Sequence, residues 1–222
     1  MDQLIIIGAS GHGKVVADIA RLCGYKKIDF LDDNQSLKNC GTYKVIGLVK
    51  DLKKYINDMT CFFVAIGDNK IRKLIQNEIE ALGGKIGTLI HPDAVIANDV
   101  EIGRGSVLMA GTVINSGAII GNGCVINTAS SVDHDCKVGE FVHIAVGAHL
   151  SGSVKIQEIT WVGAGATISN NVSICGNCMI GAGAVVVEDI TTVGVYIGVP
   201  AKISKNLFVK ESNINDENFS SY

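Results

Sequence analysis

The chain has 222 residues, enough for one large domain or two small ones, and its 26 Gly, 2 Pro, 5% aromatic and 18% charged residues make it apolar and glycine-rich. A formal net charge of -3 supplies no basic face and argues against a nucleic-acid partner. The odd count of 7 Cys and a start at Met1-Asp2-Gln3-Leu4, with neither basic region nor cleavage site, point to reduced thiols in a cytoplasmic protein, and no apolar run approaches the ~20 residues of a membrane span.

Leu4 to Ile7 form a short apolar run that ends in Gly8-Ala9-Ser10-Gly11-His12-Gly13-Lys14. Val15, Val16, Ile19, Ala20 and Cys23 then fall at helical spacing, so this stretch reads as strand, glycine turn and helix. Such a turn aims backbone N–H groups and a helix N-terminus at an anion. It is not a P-loop, because Val15 stands where Ser or Thr would hold magnesium. Nor is it a dinucleotide fingerprint, since its glycines are spaced G-x-x-G-x-G. Ile28 to Leu31 form a second strand ending in Asp32-Asp33, about twenty residues past the turn, where α/β nucleotide sites place a carboxylate on ribose. The apolar residues 61–66 form a third strand, ending in Gly67-Asp68-Asn69 and followed by a helix facing inward through Ile71, Leu74, Ile75, Ile79 and Leu82. Strands alternating with helices indicate a parallel sheet whose ligands collect at the strand C-termini. A short strand over residues 86–90 leads through His91-Pro92 into a different pattern, with the domain boundary near residue 88.

From Ile96 onward an aliphatic residue returns every six positions: Ile96, Ile102, Leu108, Ile114, Ile120, Ile126, Val132, Val138, Ile144, Leu150, Ile156, Val162, Ile168, Ile174, Ile180 and Val186. Four residues beyond each rung the side chain is mostly small or β-branched. Six is a multiple of the strand period, so both positions point to one side of an extended chain and both are to be buried. Three hexapeptides then close a triangular coil of eighteen residues, a hexapeptide β-helix, with glycine after the rung relieving the corners. Five such coils stack to roughly 24 Å at about 4.8 Å per layer. Cys175 and Cys178 form a lone CxxC whose second cysteine falls at a small inward position, which is a packing role rather than a zinc site. After Val186 the repeat decays toward a polar tail over residues 206–222, of which Ser212 to Tyr222 is expected to be disordered.

Within the prism, residues 127–136 interrupt the bland rungs with polar groups. His134 lies two residues past Val132, near a corner and pointing out, and Asp135 follows. An imidazole beside a carboxylate is the usual general base near pH 7. His143 and His149 each precede a rung and are expected to alternate outward as well.

The segments GASGHGK, FLDD, AIGDNKIR, NTASSVDHDCKVGEFVHI and IGVPAK together resemble the nucleotide-sugar acetyltransferases of bacterial glycan synthesis, typified by the bacillosamine-pathway N-acetyltransferase and including a sialic acid O-acetyltransferase branch. The similarity spans roughly residues 3–205. It implies a Rossmann-like α/β domain (1–88) followed by a left-handed parallel β-helix (89–205), assembled as a homotrimer with acetyl-CoA between neighbouring prisms. It also implies a base, His134, whose basicity Asp135 raises; some relatives have Glu at the latter position, one methylene longer. His143, Gly152, Ala164, Ala182 and Lys202 fall where the family contacts acetyl-CoA. Ser10, Gly11, His12, Asp32, Asp33 and Gly67 match its nucleotide-sugar site, with Asn127 near the reacting centre.

The expected reaction is acetyl transfer to the amino group of a nucleotide-linked amino sugar by direct attack on the thioester, with no metal required. The sugar, the nucleotide, and N against O as acceptor stay open. A γ-carbonic-anhydrase-like metalloenzyme uses the same prism, but His143 and His149, six apart, fall on different faces; a nucleotide-binding scaffold would need neither His134 nor a cofactor site.

Overall fold

The computed structural model describes residues 3–204, which divide into two compact units meeting in sequence at Leu89 and Ile90. The polar tail expected at 206–222 lies outside the described residues.

The first unit is a six-stranded sheet with helices. Its strands are β1 (Gln3–Ile7), β2 (Lys27–Leu31), β3 (Asn39–Cys40), β4 (Tyr43–Gly47), β5 (Thr60–Val64) and β6 (Lys85–Ile86), in the order β3-β4-β2-β1-β5-β6. β2, β1 and β5 run parallel and in register, with Ile7 opposite both Leu31 and Val64, so their carboxyl ends are level. Leu4 to Ile7 and Thr60 to Val64 are buried throughout, as expected of central strands with both faces covered. Helix α1 (Gly11–Leu22) follows β1, and α2 (Asn69–Ala81) follows β5. The antiparallel β3–β4 pair and a 3₁₀ turn (Val49–Tyr55) add to the elements read from sequence, so the apolar run ending at residue 66 is the fifth strand and not the third.

Two helix faces differ from the periodicity reading. Val15 on α1 and Ile71 and Leu74 on α2 are exposed, whereas Arg72 and Gln76 are buried beside Ile75 and Ile79. Arg72 is tolerated because its guanidinium donates to Ile66 O (2.8 Å), Gly67 O (3.0 Å) and Asn69 Oδ1 (2.7 Å), tying down the β5–α2 turn. Asp68 caps the same helix, accepting from the N–H groups of Lys70 and Ile71 at 2.9 Å. The strand expected over 86–90 is two strands, because Lys85–Ile86 completes the first sheet while Leu89–Ile90 joins a sheet of the second unit.

The second unit is a triangular parallel β-helix. Its strands are two or three residues long and form sheets of eight, six and five strands, one per side. Residue i pairs with i+18, as in Ile96↔Ile114, Ile120↔Val138 and Ile144↔Val162. From Leu108 to Val186 every rung is buried, while Ile96 and Ile102 in the first coil are half-buried. The corners depart from expectation. The positive-φ residue is the third after the rung, at φ 54° to 72° from Gly105 to Gly183, and it is not always glycine: Ala129, Asp135, Phe141, Ser153, Ile159, Asn171 and Asn177 also occupy it. The glycines directly after the rungs serve a different purpose, since a Cβ on Gly103 would lie 2.4 Å from the Gly121 carbonyl carbon and one on Gly163 2.6 Å from Ala182 N. They admit the backbone of the next coil.

At Gly147 the φ is +61° and no atom stands within 4 Å of a built Cβ, so only backbone strain opposes a side chain. Gly147→Ala therefore lowers stability by about 1–2 kcal/mol, the left-handed penalty for an L-residue, as read by chemical denaturation. An unchanged midpoint would remove corner strain from the account.

Candidate active site

In the first unit the level strand ends gather the residues singled out from sequence. Gly8 N donates to Leu31 O (2.9 Å) and Ala65 N to Ile7 O (2.8 Å), which joins the loops after β1, β2 and β5 along one edge. Ser10 is the N-cap residue of α1 and Gly11 its first residue, both exposed. Asp32 accepts from Ala9 N (2.6 Å) and Asn34 N (2.8 Å), so it holds the glycine turn in shape. Asp33, exposed, accepts from Val49 N at 3.0 Å. Gly67 O receives the Arg72 guanidinium. Burial, assisted by the charge of Arg72, pushes the His12 imidazole down to about 4, so it is neutral at pH 7. The edge thus offers N–H groups of a helix start, a neutral imidazole and two carboxylates.

In the prism, the turn joining the six-stranded and five-stranded sheets carries His134 and Asp135. Asp135 occupies the left-handed corner position at φ 58°. Its Oδ2 lies 2.8 Å from His134 Nδ1. A carboxylate only accepts, so Nδ1 carries a proton, and in the neutral ring the lone pair is then on Nε2, the tautomer a base needs. The Asp135 hydrogen bond foremost, and then the charge of Asp133, raise the His134 pKa above the ordinary imidazole value. Both side chains are exposed.

The next coil places Gly152, eighteen residues on, against the ring: a Cβ there would lie 2.5 Å from His134 Nε2. The preceding coil does the same below, because a Cβ on Gly117 would lie 2.7 Å from Asp135 Oδ1. Two glycines in register with the pair leave it room.

The other predicted residues gather elsewhere. Ala164 and Ala182 are exposed, one coil apart, at the corner joining the eight-stranded and six-stranded sheets; Asn127 lies at the same corner two coils before Ala164's. His143, on the adjoining eight-stranded face, is buried and not outward-exposed as expected. Its ring lies 4.0 Å from that of Trp161, and its Nε2 is 3.2 Å from Asn127 Nδ2. The aromatic cover explains the burial, and Trp161, paired in register with His143, went unnoticed in the sequence although its place eighteen residues on marks it. His149 is exposed and within 2.8 Å of Ser131 Oγ. Lys202 meets Glu188 at 3.3 Å. Gly152 therefore belongs with the His134 corner, while His143, Ala164, Ala182 and Asn127 lie toward another.

Among the described residues no group of three or more His, Cys, Asp or Glu is arranged to hold a metal, and His143 and His149 are in different sheets. No helix among them is long and apolar enough to cross a membrane.

An imidazole–carboxylate pair on the outside of a hexapeptide prism is chemically equipped to act as a general base. The comparisons agree. Residues 3–79 match the PglD N-terminal domain family. The chain is 30% identical over 160 residues to a GDP-perosamine N-acetyltransferase of Escherichia coli O157:H7, covering 67% of this chain and 70% of that one. It is 33% identical over 114 residues to a UDP-N-acetylbacillosamine N-acetyltransferase of Bacillus subtilis (strain 168), a match to 50% of this chain and only about half, 52%, of that relative's length. Among solved structures it superposes on the acetyltransferase domain of PglB from Neisseria gonorrhoeae FA1090 in complex with acetyl coenzyme A (TM-score 0.89, 41% identity, covering 91% and 99% of the two chains). It likewise superposes on PerB from Caulobacter crescentus in complex with CoA and GDP-perosamine (TM-score 0.87, 35% identity, 91% and 97%). The chain belongs to the nucleotide-sugar N-acetyltransferase family built on the left-handed parallel β-helix.

If the Asp135 contact raises the basicity of His134, Asp135→Asn moves the imidazole titration midpoint downward, as followed by the ring proton resonances. A midpoint that stays in place would show that the contact does not tune the ring.

Proposed function

We propose that this protein transfers the acetyl group of acetyl-CoA to the amino group of a nucleotide-linked amino sugar in bacterial glycan synthesis. The observation that carries the reading is the His134–Asp135 pair, held through Nδ1 on the outer side of the prism so that the neutral ring has its lone pair on Nε2, in a chain with a relative named as a GDP-perosamine N-acetyltransferase. His134 Nε2 removes a proton from the amine as its nitrogen forms a bond to the thioester carbonyl carbon. The tetrahedral oxyanion collapses, the carbon–sulfur bond breaks, and CoA leaves as thiolate. The imidazolium formed is stabilised by the Asp135 carboxylate. A backbone N–H near Gly152 is assigned to the oxyanion, a contribution of about 3 kcal/mol for one such donor.

The roles divide as follows. Ser10, Gly11, His12, Asp32, Asp33 and Gly67 take the nucleotide at the carboxyl edge of the first unit's sheet, with helix N–H groups aimed at phosphate. His143, Gly152, Ala164, Ala182 and Lys202 take acetyl-CoA, the exposed small residues Ala164 and Ala182 admitting an extended cofactor along the prism. Asn127 orders the reacting centre through His143.

The two corners of one prism are a full side apart, six residues or up to about 20 Å at ~3.3 Å each. One copy does not bring the His134 corner to the Ala164–Ala182 corner, whereas a neighbouring copy in a closed ring would. This supports a homotrimer, in which each cofactor site takes its base from the next subunit. Reduced cysteines fit a cytoplasmic setting, and none of the seven is in a disulfide among the described residues.

His134→Ala is expected to lower kcat by ~10²-fold or more, the share of a general base, with light scattering still giving a trimer and acetyl-CoA still binding. Its ring is exposed and fills no part of the aliphatic stack. Near wild-type kcat would contradict the assigned base, and a monomer at working concentration would contradict the shared site.

A further inference from the structure

Asp133, the residue before the proposed base, is a carboxylate held on two sides. Asp133 Oδ1 accepts two hydrogen bonds at 2.8 Å, one from the backbone N–H of His134 and one from Asn115 Nδ2. Asn115 stands eighteen residues earlier, in register one coil back, and its own N–H is fixed to Val132 O at 2.9 Å. The N–H of Asp133 is fixed in turn to Leu150 O at 3.0 Å. The His134 main chain is therefore tied through one carboxylate to a side chain of the preceding coil. Asp135 N, bonded to Ser116 O at 3.0 Å, supplies the second tie.

We propose that Asn115 and Asp133 are positioning residues for the base: Asn115 holds the Asp133 carboxylate, which orients the His134 main chain and faces the imidazolium with a second negative charge. This rests on the reading of His134 as the base.

The surroundings make the charge effective. The same turn presents Asp135. The preceding coil presents Asn115, Ser116 and Gly117, none of which titrates, and Asp99 behind them accepts from Ser116 Oγ (2.7 Å) and Gly117 N (3.1 Å). The following coil presents Ser151, Gly152 and Ser153, again without a titrating group. Lys137 and Lys155 begin strands of the adjoining five-stranded sheet, and neither is paired with Asp133 or Asp135 in the salt bridges found among the described residues. Three carboxylates and no cation share the corner turns around the ring. Asp133 is itself held below the ordinary carboxylate range, first by the Asn115 hydrogen bond and then by the His134 N–H, so it is ionised wherever the ring titrates.

Two substitutions separate the two effects. Asn at 133 keeps an oxygen for the His134 N–H and loses the charge; Ala loses both. In the full-length protein, Asp133→Asn is expected to lower the His134 titration midpoint by about half a pH unit, the scale of one charge roughly 6 Å away in water. The acidic limb of the kcat–pH profile moves down with it, while the plateau stays within about twofold. Asp133→Ala shifts the midpoint as far and also lowers the plateau by about tenfold or more, as a displaced reacting group does. Asn115→Ala lowers the plateau with little shift of the midpoint.

A His134 midpoint unmoved in Asp133→Asn, or equal plateaus in Asp133→Asn and Asp133→Ala, would overturn the proposal. Failure of the base reading looks different: there His134→Ala keeps its kcat, whatever the ring titration of the Asp133 variants shows.

Discussion

The structure depends on one geometric condition, that each coil repeats the one before it after eighteen residues. Backbone bonds enforce it at every step, as in Asp133 N to Leu150 O and His149 N to Ala166 O, at 3.0 and 2.8 Å. Because strands two residues long have little hold on their own register, the aliphatic rungs supply it. A slip by one residue would turn Val132 outward and bring Asp133 into the core. The left-handed corners then follow every sixth residue, on glycine or on residues such as Asn171 and Asn177 that tolerate the conformation.

That same condition builds the chemistry. Gly152 lies against His134 and Gly117 against Asp135 because each pair is separated by one coil, and Asn115 reaches Asp133 for the same reason. The proposed base, His134, thus has its room, its orientation and its charge environment set largely by what occupies the equivalent position in adjacent coils. Regular packing inside the prism leaves the outer residues free to vary, and one corner bears His134 and Asp135 while another bears the exposed Ala164 and Ala182. The division calls for a second copy to complete the proposed site.

Much of this was legible in the amino-acid order. Sixteen rungs at one phase reveal the prism, its coil length and its inward face, since a six-residue period has no other simple account. The turn after β1 and the carboxylates after β2 are equally plain. Other features depend on contacts that local periodicity does not record. Arg72 interrupts an apolar helix face because its guanidinium ties down the turn before the helix, and that role is invisible until Ile66 O and Gly67 O point at it. β3 is only two residues long, and in β4 Lys44 and Gly47 break up the apolar Val45 and Ile46, so neither stands out as a strand. His143 alternates outward as its place demands, yet it is covered, because Trp161 comes one coil later. An eighteen-residue comparison along the sequence would have found both this stack and the Gly152–His134 contact.

The central claim is acetyl transfer to nitrogen on a nucleotide-linked sugar. The most direct measurement follows thiol release from acetyl-CoA against a panel of UDP- and GDP-linked 4-amino sugars, their 4-hydroxy counterparts and free sialic acid, with mass analysis of the products. The account predicts thiol release with at least one amino sugar, matched mole for mole by an acetamido product, and none with the hydroxy counterpart. Release only with a hydroxyl acceptor, or with no acceptor in the panel, would contradict it.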